Sequence, residues 1–356
     1  MHVPYCKSKC GYCSFCSSTD FSTQKLYIKS LYEEICKRGR NEPCDTVYIG
    51  GGTPSVLPRG EIDKLIWFLR ESFNIEKDAE ITVEANPDTC SDDFLREIKR
   101  AGVNRLSLGL QSDDDKLLRI AGRRHDYATF EKCLHSALDM GIDNISADLI
   151  LGLPNQTLNG FEKTVKNVSS LPLKHISVYA LKIEEGTAFF DDGVCIDEDL
   201  QAEMYALACG ILQYNGFLRY EVSNFAEKGF ESRHNSKYWD HSPYIGLGLA
   251  AHSFVDGYRI ENTNNVSLYN IGKREKGREK IPQNELIEEY IMLSLRTSAG
   301  IDLNLLEKEY NHNILMEKKE EIEYLRSLGA VEIDGGRLKV TEKAFYILDS
   351  IILKLL

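Results

Sequence analysis

Three cysteines near the start of the chain have the types and spacing that most clearly indicate chemistry. Cys6, Cys10 and Cys13 form the pattern C-x₃-C-x₂-C, and Tyr12 lies directly before the last of them. Three thiolates on one short loop can bind three irons of a [4Fe–4S] cluster, which leaves the fourth iron open to a ligand that is not protein. Such a cluster can bind a small chelating molecule and pass it an electron.

Other interpretations of this loop stay open at this point. Cys16 follows three residues after Cys13 and could supply a fourth sulfur, which would close the site as an electron-transfer or zinc module. Structural zinc sites use four ligands, often as two pairs well separated in sequence, but the other cysteines here are scattered singly. The triplet by itself does not choose between zinc, a cluster and unrelated thiols.

Alternating strand and helix patterns follow the loop and would position it. Strands are predicted at 45–49, 80–85, 105–111, 144–150 and 175–181, and helices at 23–38, 61–72, 92–101, 114–120, 127–140, 158–170 and 200–214. This order predicts an α/β fold with a parallel sheet, curled or closed.

Polar side chains stand at or near the ends of several predicted strands. Glu84, Gln111 and Asp148 lie there, and a glycine-rich turn, 50–54, follows the first of these strands. Parallel sheets bind ligands at that edge, and glycines let a backbone approach a ligand and present its N–H groups. A lone acidic residue ordinarily caps a helix, and a glycine turn ordinarily serves packing. Their recurrence at one edge favours a site.

A second candidate region is an aromatic block that contains histidines, between 220 and 254. Its sequence includes His234, Tyr238, Trp239 and His252. Aromatic residues in an extended stretch mostly serve packing, and a single histidine is more often a core group than a ligand. A planar apolar ligand that carries a metal would nevertheless suit this set of side chains.

Composition limits the class of protein. The 356 residues are 42% hydrophobic and 28% charged, with a net charge of -12, which argues against general nucleic-acid binding. Ten cysteines without a signal-peptide pattern indicate reduced thiols, and no stretch approaches the roughly 20 apolar residues that span a bilayer. We therefore expect a soluble, intracellular protein.

The last third of the chain has its own pattern. The charged run 271–280 is predicted to be an exposed connection, and the segment 284–356 to contain three helices, a hairpin at 330–340 and a final helix. That order is typical of a winged-helix module. Because this segment holds fourteen acidic and nine basic side chains, a packing or partner surface is expected and not DNA binding.

The ordered motifs resemble a known family. The cysteine pattern followed by GGGTP, VEANP, NRLSLGLQS and DLILGLP is similar to the radical S-adenosylmethionine superfamily, and YEVSNFA, HNSKYW and YIGLGLAAHSF resemble its HemN/HemW group. The resemblance covers nearly the whole chain. It implies a partial (β/α)₆ barrel at 1–182 with the cluster loop at its mouth, an extension at 183–270 that contains HNSKYW, and a C-terminal α+β winged-helix-like domain at 284–356.

The resemblance also implies cofactors and site residues. Cys6, Cys10 and Cys13 would bind the [4Fe–4S] cluster, and S-adenosylmethionine would chelate its open iron through amino and carboxylate groups. The positions matching the family's contacts with S-adenosylmethionine are Tyr12, Gly51, Gly52, Thr53, Glu84, Gln111, Arg123, Asp148 and Ala180. Arginine suits a carboxylate, and carboxylates and amides suit ribose hydroxyls. Reductive cleavage of the sulfonium would give methionine and a 5′-deoxyadenosyl radical, and Cys16 becomes a spare thiol.

Two departures from the family pattern bear on function. Phe15 stands where the group's oxygen-independent coproporphyrinogen oxidases carry a further cysteine, and those oxidases have an N-terminal extension before the loop. Both differences favour a heme chaperone without decarboxylase activity; oxidative decarboxylation of coproporphyrinogen, in porphyrin biosynthesis, is the alternative. Family members usually have a tyrosine before an Ile-His-x-Pro strand, and Met1 takes the place of that isoleucine. We expect either a start further upstream or the loss of one cofactor contact.

The resemblance finally implies partners. Heme is expected in the region of His234, Tyr238, Trp239 and His252, and heme-accepting proteins, some of them membrane-associated, are expected to receive it. An electron donor such as a flavodoxin is expected, and no nucleic acid. The expected location is the cytoplasm, including the inner face of the membrane. No catalytic residue is assigned.

Overall fold

The computed structural model describes residues 1–356, and its largest sheet has eight strands. These are β1 (His2–Val3), β2 (Arg40–Gly51), β3 (Phe73–Ala85), β4 (Arg105–Gln111), β5 (Ile145–Leu151), β6 (His175–Ala180), β7 (Leu218–Arg219) and β8 (Asn224–Ala226). Their order is β1-β2-β3-β4-β5-β6-β8-β7. The first six are mutually parallel, and β8 and β7 are antiparallel to their neighbours. The sheet is thus open, as a partial barrel requires.

Helices connect these strands in the predicted alternation. They are α1 (Gln24–Arg38), α2 (Glu61–Ser72), α3 (Asp92–Ala101), α4 (Asp115–Ile120), α5 (Tyr127–Asp139), α6 (Leu158–Ser169), α7 (Ala188–Asp191) and α8 (Glu198–Tyr214), with a short 3₁₀ turn at Pro54–Val56. The predicted α/β class with a parallel sheet is confirmed. Strands β2 and β3 extend further back than predicted, because their irregular early parts pair with each other across two register shifts.

Alternation along the strands separates an apolar face from a polar one. On β3, Ile81 and Val83 are buried in the main hydrophobic core, whereas Glu80 and Glu84 point to the opposite face. The apolar face packs against helices such as α2 and α3, which contribute Leu65 and Leu95 to the same core. The polar face is left for the concave interior of the sheet.

A smaller antiparallel sheet follows in sequence. Its strands are β9 (His252–Val255), β10 (Tyr258–Asn262) and β11 (Glu275–Lys280), with helices α9 (Arg233–Trp239) before them and α10 (Val266–Asn270) between the last two. The prediction of an exposed connection at 271–280 is wrong for β11, which pairs with β10 although all six of its residues are exposed. An edge strand can pair through its backbone while its charged side chains stay in water. The HNSKYW segment lies in a helix and not in an extended stretch.

The C-terminal part has its own core of 18 buried residues. Its elements are α11 (Gln283–Ser294), β12 (Ile301–Asp302), α12 (Leu303–Tyr310), α13 (Ile314–Glu317), α14 (Lys319–Ser327), β13 (Val331–Asp334), β14 (Arg337–Val340), a 3₁₀ turn at Glu342–Ile347 and α15 (Leu348–Leu355). The hairpin of β13 and β14 occurs where it was predicted, and β12 extends it to a three-stranded sheet. The proposed division of the chain into three domains stays a prediction. None of the helices combines the length and apolar character needed to cross a membrane.

Candidate functional site

The cysteine loop lies across the carboxyl edge of the parallel strands. Thr53, just after β2, donates a hydrogen bond from Oγ1 to Cys6 Sγ at 3.4 Å. Arg123, after α4, donates from Nη1 to Cys10 Sγ at 3.6 Å. The backbone of Gly11 adds two anchors, because its N–H donates to the Ala121 carbonyl (3.0 Å) and its carbonyl accepts from Phe189 N–H (2.8 Å). The loop is therefore fixed by segments that follow different strands.

The three sulfurs suit a cluster. All three cysteines are partly buried and none is in a disulfide. Burial raises the pKa of Cys6 and Cys13, and neighbouring thiols raise it further, while the Thr53 hydroxyl and the Arg123 guanidinium lower the pKa of Cys6. No three His, Cys, Asp or Glu side chains converge on a point that one metal ion could occupy. A [4Fe–4S] cluster does not require such convergence, since each cysteine binds a different iron.

Cys16 is held differently from the other three cysteines of the loop. Its thiol points to the carbonyl of Asn264 at 3.8 Å, and its own carbonyl accepts a hydrogen bond from His2 Nε2 at 2.8 Å. These contacts support the interpretation of Cys16 as a spare thiol.

Asn86 and Arg123 connect the ends of three strands. Arg123 donates from Nη2 to Asn86 Oδ1 (2.7 Å) and to the carbonyl of Gly109 (2.6 Å), and Asn86 donates from Nδ2 to Thr53 Oγ1 (3.0 Å). The Gln111 amide is next to this group, because a Cβ added to Gly109 would lie 2.9 Å from both Gln111 Nε2 and Arg123 Nη2. Arg123 Nε is buried without a partner. An unpaired donor on a fixed guanidinium fits a ligand carboxylate.

Two carboxylates face the interior from β3 and β5, the strands on either side of β4. Glu84 accepts from Tyr48 Oη through Oε1 (2.6 Å) and from Gly51 N–H through Oε2 (3.1 Å), and Asp148 accepts from Ser107 Oγ at 3.4 Å. Burial is the main cause that raises the pKa of both carboxyl groups. Carboxylate acceptors in a partly dry interior can bind hydroxyl groups of a ligand. Ala180 is exposed at the end of β6, on the same edge.

The glycine turn differs from the sequence-based expectation. Its N–H groups are already bonded within the chain: Gly51 donates to Glu84, Gly52 to the carbonyl of Val3 (2.8 Å) and Thr53 to that of Tyr5 (2.8 Å). A Cβ on Gly52 would lie 2.8 Å from both carbonyl oxygens, so glycine is needed for close packing of β2 on the start of the chain. The turn shapes the site, but these three N–H groups are not free for a ligand.

Tyr12 lies within the cysteine loop, between Cys10 and Cys13. Its ring lies 6.4 Å from that of Phe189, in a tilted arrangement, and burial raises its pKa. This aromatic contact joins the loop to α7.

An aromatic cavity of about 310 Å³ lies beside the first strands of the sheet. Its walls include His234, Tyr238 and His252 together with Tyr48 and Tyr244. Trp239, the fourth expected residue of this region, is not among the lining residues. The structure thus brings together three of the four side chains that the sequence singled out.

The two histidines of the cavity differ in how they are held. His234 Nδ1 is 2.9 Å from Thr46 Oγ1 and its Nε2 is 3.1 Å from Tyr238 Oη, so both ring nitrogens are engaged. Burial lowers the pKa of His234 to about 3, so the ring is neutral at physiological pH. No comparable pair of contacts holds the His252 ring, which is exposed at the cavity wall.

Two buried carboxylates that sequence reasoning did not single out position these histidines. Glu80 accepts from the N–H groups of Arg233 and His234, both at 2.9 Å, and thereby fixes the start of α9 on β3. Glu34 accepts from Gly248 N–H (2.8 Å), Asn262 Nδ2 (2.8 Å) and Tyr269 Oη (2.6 Å), which holds the segment before β9 and His252. Asn86 was also missed. Its place directly after a predicted strand, at the same edge as Glu84, was the available signal.

Comparisons with known proteins agree with this geometry. Residues 1–168 match the family model described as the radical SAM superfamily, and residues 281–347 match that of the HemN C-terminal domain. Proteins named heme chaperone HemW are similar: that of Lactococcus lactis is 34% identical (97% of this chain, 93% of the relative), and that of Bacillus subtilis 35% identical (88% and 87%). The mitochondrial radical S-adenosyl methionine domain-containing protein 1 of Bos taurus is 31% identical (100% and 86%).

A solved structure shares the fold. Coproporphyrinogen III oxidase (HemN) of Escherichia coli superimposes with a TM-score of 0.85 and 22% identity, over 99% of this chain and 88% of the oxidase. At that identity the likeness concerns the fold alone.

Proposed function

The chain belongs to the HemW family of the radical S-adenosylmethionine superfamily, and from this premise we propose that it is a heme chaperone that binds heme and delivers it to acceptor proteins. The observation that carries the proposal is the aromatic cavity with an exposed imidazole in its wall, beside the early parts of β2 and β3. A planar, mostly apolar ring with a central iron needs flat aromatic walls and a side chain that can bind the metal.

The cavity offers distinct roles for its two histidines. His252 can present a ring nitrogen to iron without breaking a contact, so we assign it as an iron ligand. His234 would first have to give up its contact with Tyr238 Oη. Tyr238 and Tyr244 pack with ring centroids 4.8 Å apart and supply an aromatic wall. Trp239 lies on the same helix but does not line the cavity.

The second part of the proposal concerns the cofactors. Cys6, Cys10 and Cys13 would hold the [4Fe–4S] cluster, with Thr53 and Arg123 donating hydrogen bonds to its sulfur ligands. S-adenosylmethionine would bind at the same edge, where a reduced cluster can supply one electron to its sulfonium. Arg123 Nε and the Gln111 amide would bind its amino-acid end.

The remaining assigned positions complete that site. Glu84 and Asp148 would accept hydrogen bonds from the ribose hydroxyls, and Tyr12 would cover the loop. The bound S-adenosylmethionine would also be lined by the carbonyl side of Gly51, Gly52 and Thr53 and by the exposed end of β6 at Ala180.

The partners follow from these assignments. We propose that the acceptor proteins include membrane proteins, and that the protein works in the cytoplasm and reaches the inner face of the membrane when it delivers heme. A reduced protein such as a flavodoxin would supply electrons to the cluster. Decarboxylation of coproporphyrinogen is not proposed, since the likeness to the oxidase extends to the fold only.

The test is an absorbance titration of the purified protein with heme. We expect saturable binding, a changed spectrum and weaker binding in His252→Ala, and a smaller effect in His234→Ala. His135→Ala is the matched control, because His135 is an exposed histidine on the outer helix α5. Absence of saturable binding by the unmodified protein would refute the chaperone proposal, whereas an unchanged spectrum in His252→Ala would refute only the assignment of the ligand.

A further inference from the structure

Four exposed cations border the cysteine loop. They are Lys7, Lys9, Arg119 and Arg124, and they are called the basic rim below. Arg124 is 3.6 Å from Asp88, and the other three form no salt bridge. The chain as a whole has 55 acidic and 43 basic side chains, so this group is opposite in sign to the net charge of the chain.

The four cations stand on two segments that meet at the cysteine loop. Lys7 and Arg124 line one small polar cleft together with Cys10 and Arg123. A Cβ on Gly122 would lie 3.4 Å from Cys10 Cα and 3.7 Å from the carbonyl of Lys9. Arg119 is in the last turn of α4, and its carbonyl accepts from Gly122 N–H at 3.1 Å. Lys7 and Lys9 are thus part of the loop, and Arg119 and Arg124 flank the residues 121–122 that contact it.

The other side of the loop is acidic. Phe189 packs against Gly11, and the turn after it carries the exposed residues Asp191 and Asp192. The cations thus stand on the segments around Cys10, and the carboxylates on the segment that contacts Gly11 through Phe189. Such an arrangement attracts an anionic protein surface and also orients it, because the acidic side repels the same surface.

We propose that the basic rim is the docking surface for an acidic, one-electron donor protein, which transfers its electron to the cluster over the Cys6–Cys13 loop. The donor loses one electron and the oxidised cluster gains it, so the step needs no further reactant. This inference rests on the proposed electron donor, and it specifies where the donor binds and by which charges.

The experiment uses the cluster-containing protein and an FMN-containing flavodoxin as the probe. Binding of the oxidised flavodoxin is measured by calorimetry at two ionic strengths, and cluster reduction by the reduced flavodoxin is followed by visible absorbance. In the triple variant Lys7→Glu, Lys9→Glu, Arg119→Glu we expect affinity and reduction rate to fall about tenfold or more, with a weaker dependence on salt. Photoreduction by a neutral deazaflavin should be unchanged.

Two further variants serve as controls, one for a change of charge elsewhere on the surface and one for damage to the loop. Lys132→Glu with Lys163→Glu changes the charge by -4, against -6 in the triple variant, on the exposed outer helices α5 and α6, and should leave flavodoxin binding intact. Lys7→Arg with Lys9→Arg preserves the charge and should keep full affinity, which separates charge from damage to the loop. Equal binding by the triple and unmodified proteins would overturn the inference, as would an equal loss in the outer-helix variant. Heme titration of the same samples tests the chaperone proposal separately.

Discussion

Tyr48 donates a hydrogen bond to Glu84 at 2.6 Å while its ring stacks on His234 with centroids 5.0 Å apart. One side chain of β2 therefore touches both the carboxylate proposed for S-adenosylmethionine and a histidine of the aromatic cavity. The two proposed ligand sites are in contact through a single aromatic wall. Binding in one site can alter the other by moving this ring, with no long path between them.

The double role of Tyr48 can be separated by removing its hydroxyl. In Tyr48→Phe, Glu84 loses its hydroxyl donor, and the pKa of this buried carboxyl should rise further. We expect affinity for S-adenosylmethionine to fall several-fold and stability to decrease by about 1–2 kcal/mol, because a partly buried acceptor loses a hydrogen bond. Heme binding should persist, since the stacked ring is retained. Calorimetry, heme titration and urea unfolding measure the three quantities.

A matched control exists on the outer surface of the sheet. Tyr32 of α1 donates to Glu61 of α2, also at 2.6 Å, and is remote from both sites. Tyr32→Phe should lower stability without changing affinity for either ligand. If Tyr48→Phe behaved in the same way, the proposed contact between Glu84 and S-adenosylmethionine would be wrong.

Replacement of Arg123 should weaken the binding of S-adenosylmethionine even when the positive charge is kept. In Arg123→Lys the ammonium cannot reproduce the two Nη2 contacts, the contact with Cys10 and the free Nε at once. We expect about tenfold or greater weakening of S-adenosylmethionine binding. Iron content should remain near that of the unmodified protein, because the three cysteines are intact. Arg124→Lys, at the exposed neighbouring position, provides the control, and equal affinities in the two variants would contradict the assignment.

Much of the fold could be predicted from local patterns, and the reasons are physical. Strands β4 and β5 are short and largely buried, and their predicted ends agree with the observed ends to within a residue. The early part of β2 contains Pro43 and charged residues, and it is a strand only because β3 pairs with it. The edge strand β11 has no apolar face at all, so no periodicity could reveal it.

Some residues of the candidate site could likewise be predicted from the sequence, and others could not. Residues at strand ends, such as Glu84 and Asp148, could be predicted because parallel strands share one carboxyl edge. Glu34 could not, since its partners Gly248 and Asn262 are more than 200 positions away. Whether a histidine is free or engaged also depends on tertiary contacts, and only the structure distinguishes His234 from His252.

Glu34 is expected to be a major determinant of stability. Its side chain is 2% exposed and accepts from three donors that would lose their partner in Glu34→Ala. The loss of free energy of unfolding should be about 3 kcal/mol or more, because several buried polar groups become unpaired. Chemical denaturation measures this change. Glu33→Ala removes an exposed neighbouring carboxylate that pairs with Arg274, and it should have little effect. A similar small loss in both variants would show that the Glu34 contacts are not stabilising.

The stability of the protein is expected to depend on pH because of the ionisation of Glu221. It is fully buried, Oε1 has no hydrogen-bond partner, and burial raises its pKa from 4.5 to about 7. Because the folded protein binds this proton more tightly than the unfolded chain, the stabilising effect is complete below the unfolded pKa and is lost as pH rises through about 7. A Glu221→Gln variant cannot ionise, so it should gain stability relative to the unmodified protein between pH 5 and pH 8. The upper limit of this gain is about 3 kcal/mol. Urea unfolding at both pH values measures it, with Glu203→Gln on the exposed face of α8 as the control. A difference between Glu221→Gln and the unmodified protein that stays constant across this range would mean that Glu221 ionises normally in the folded state.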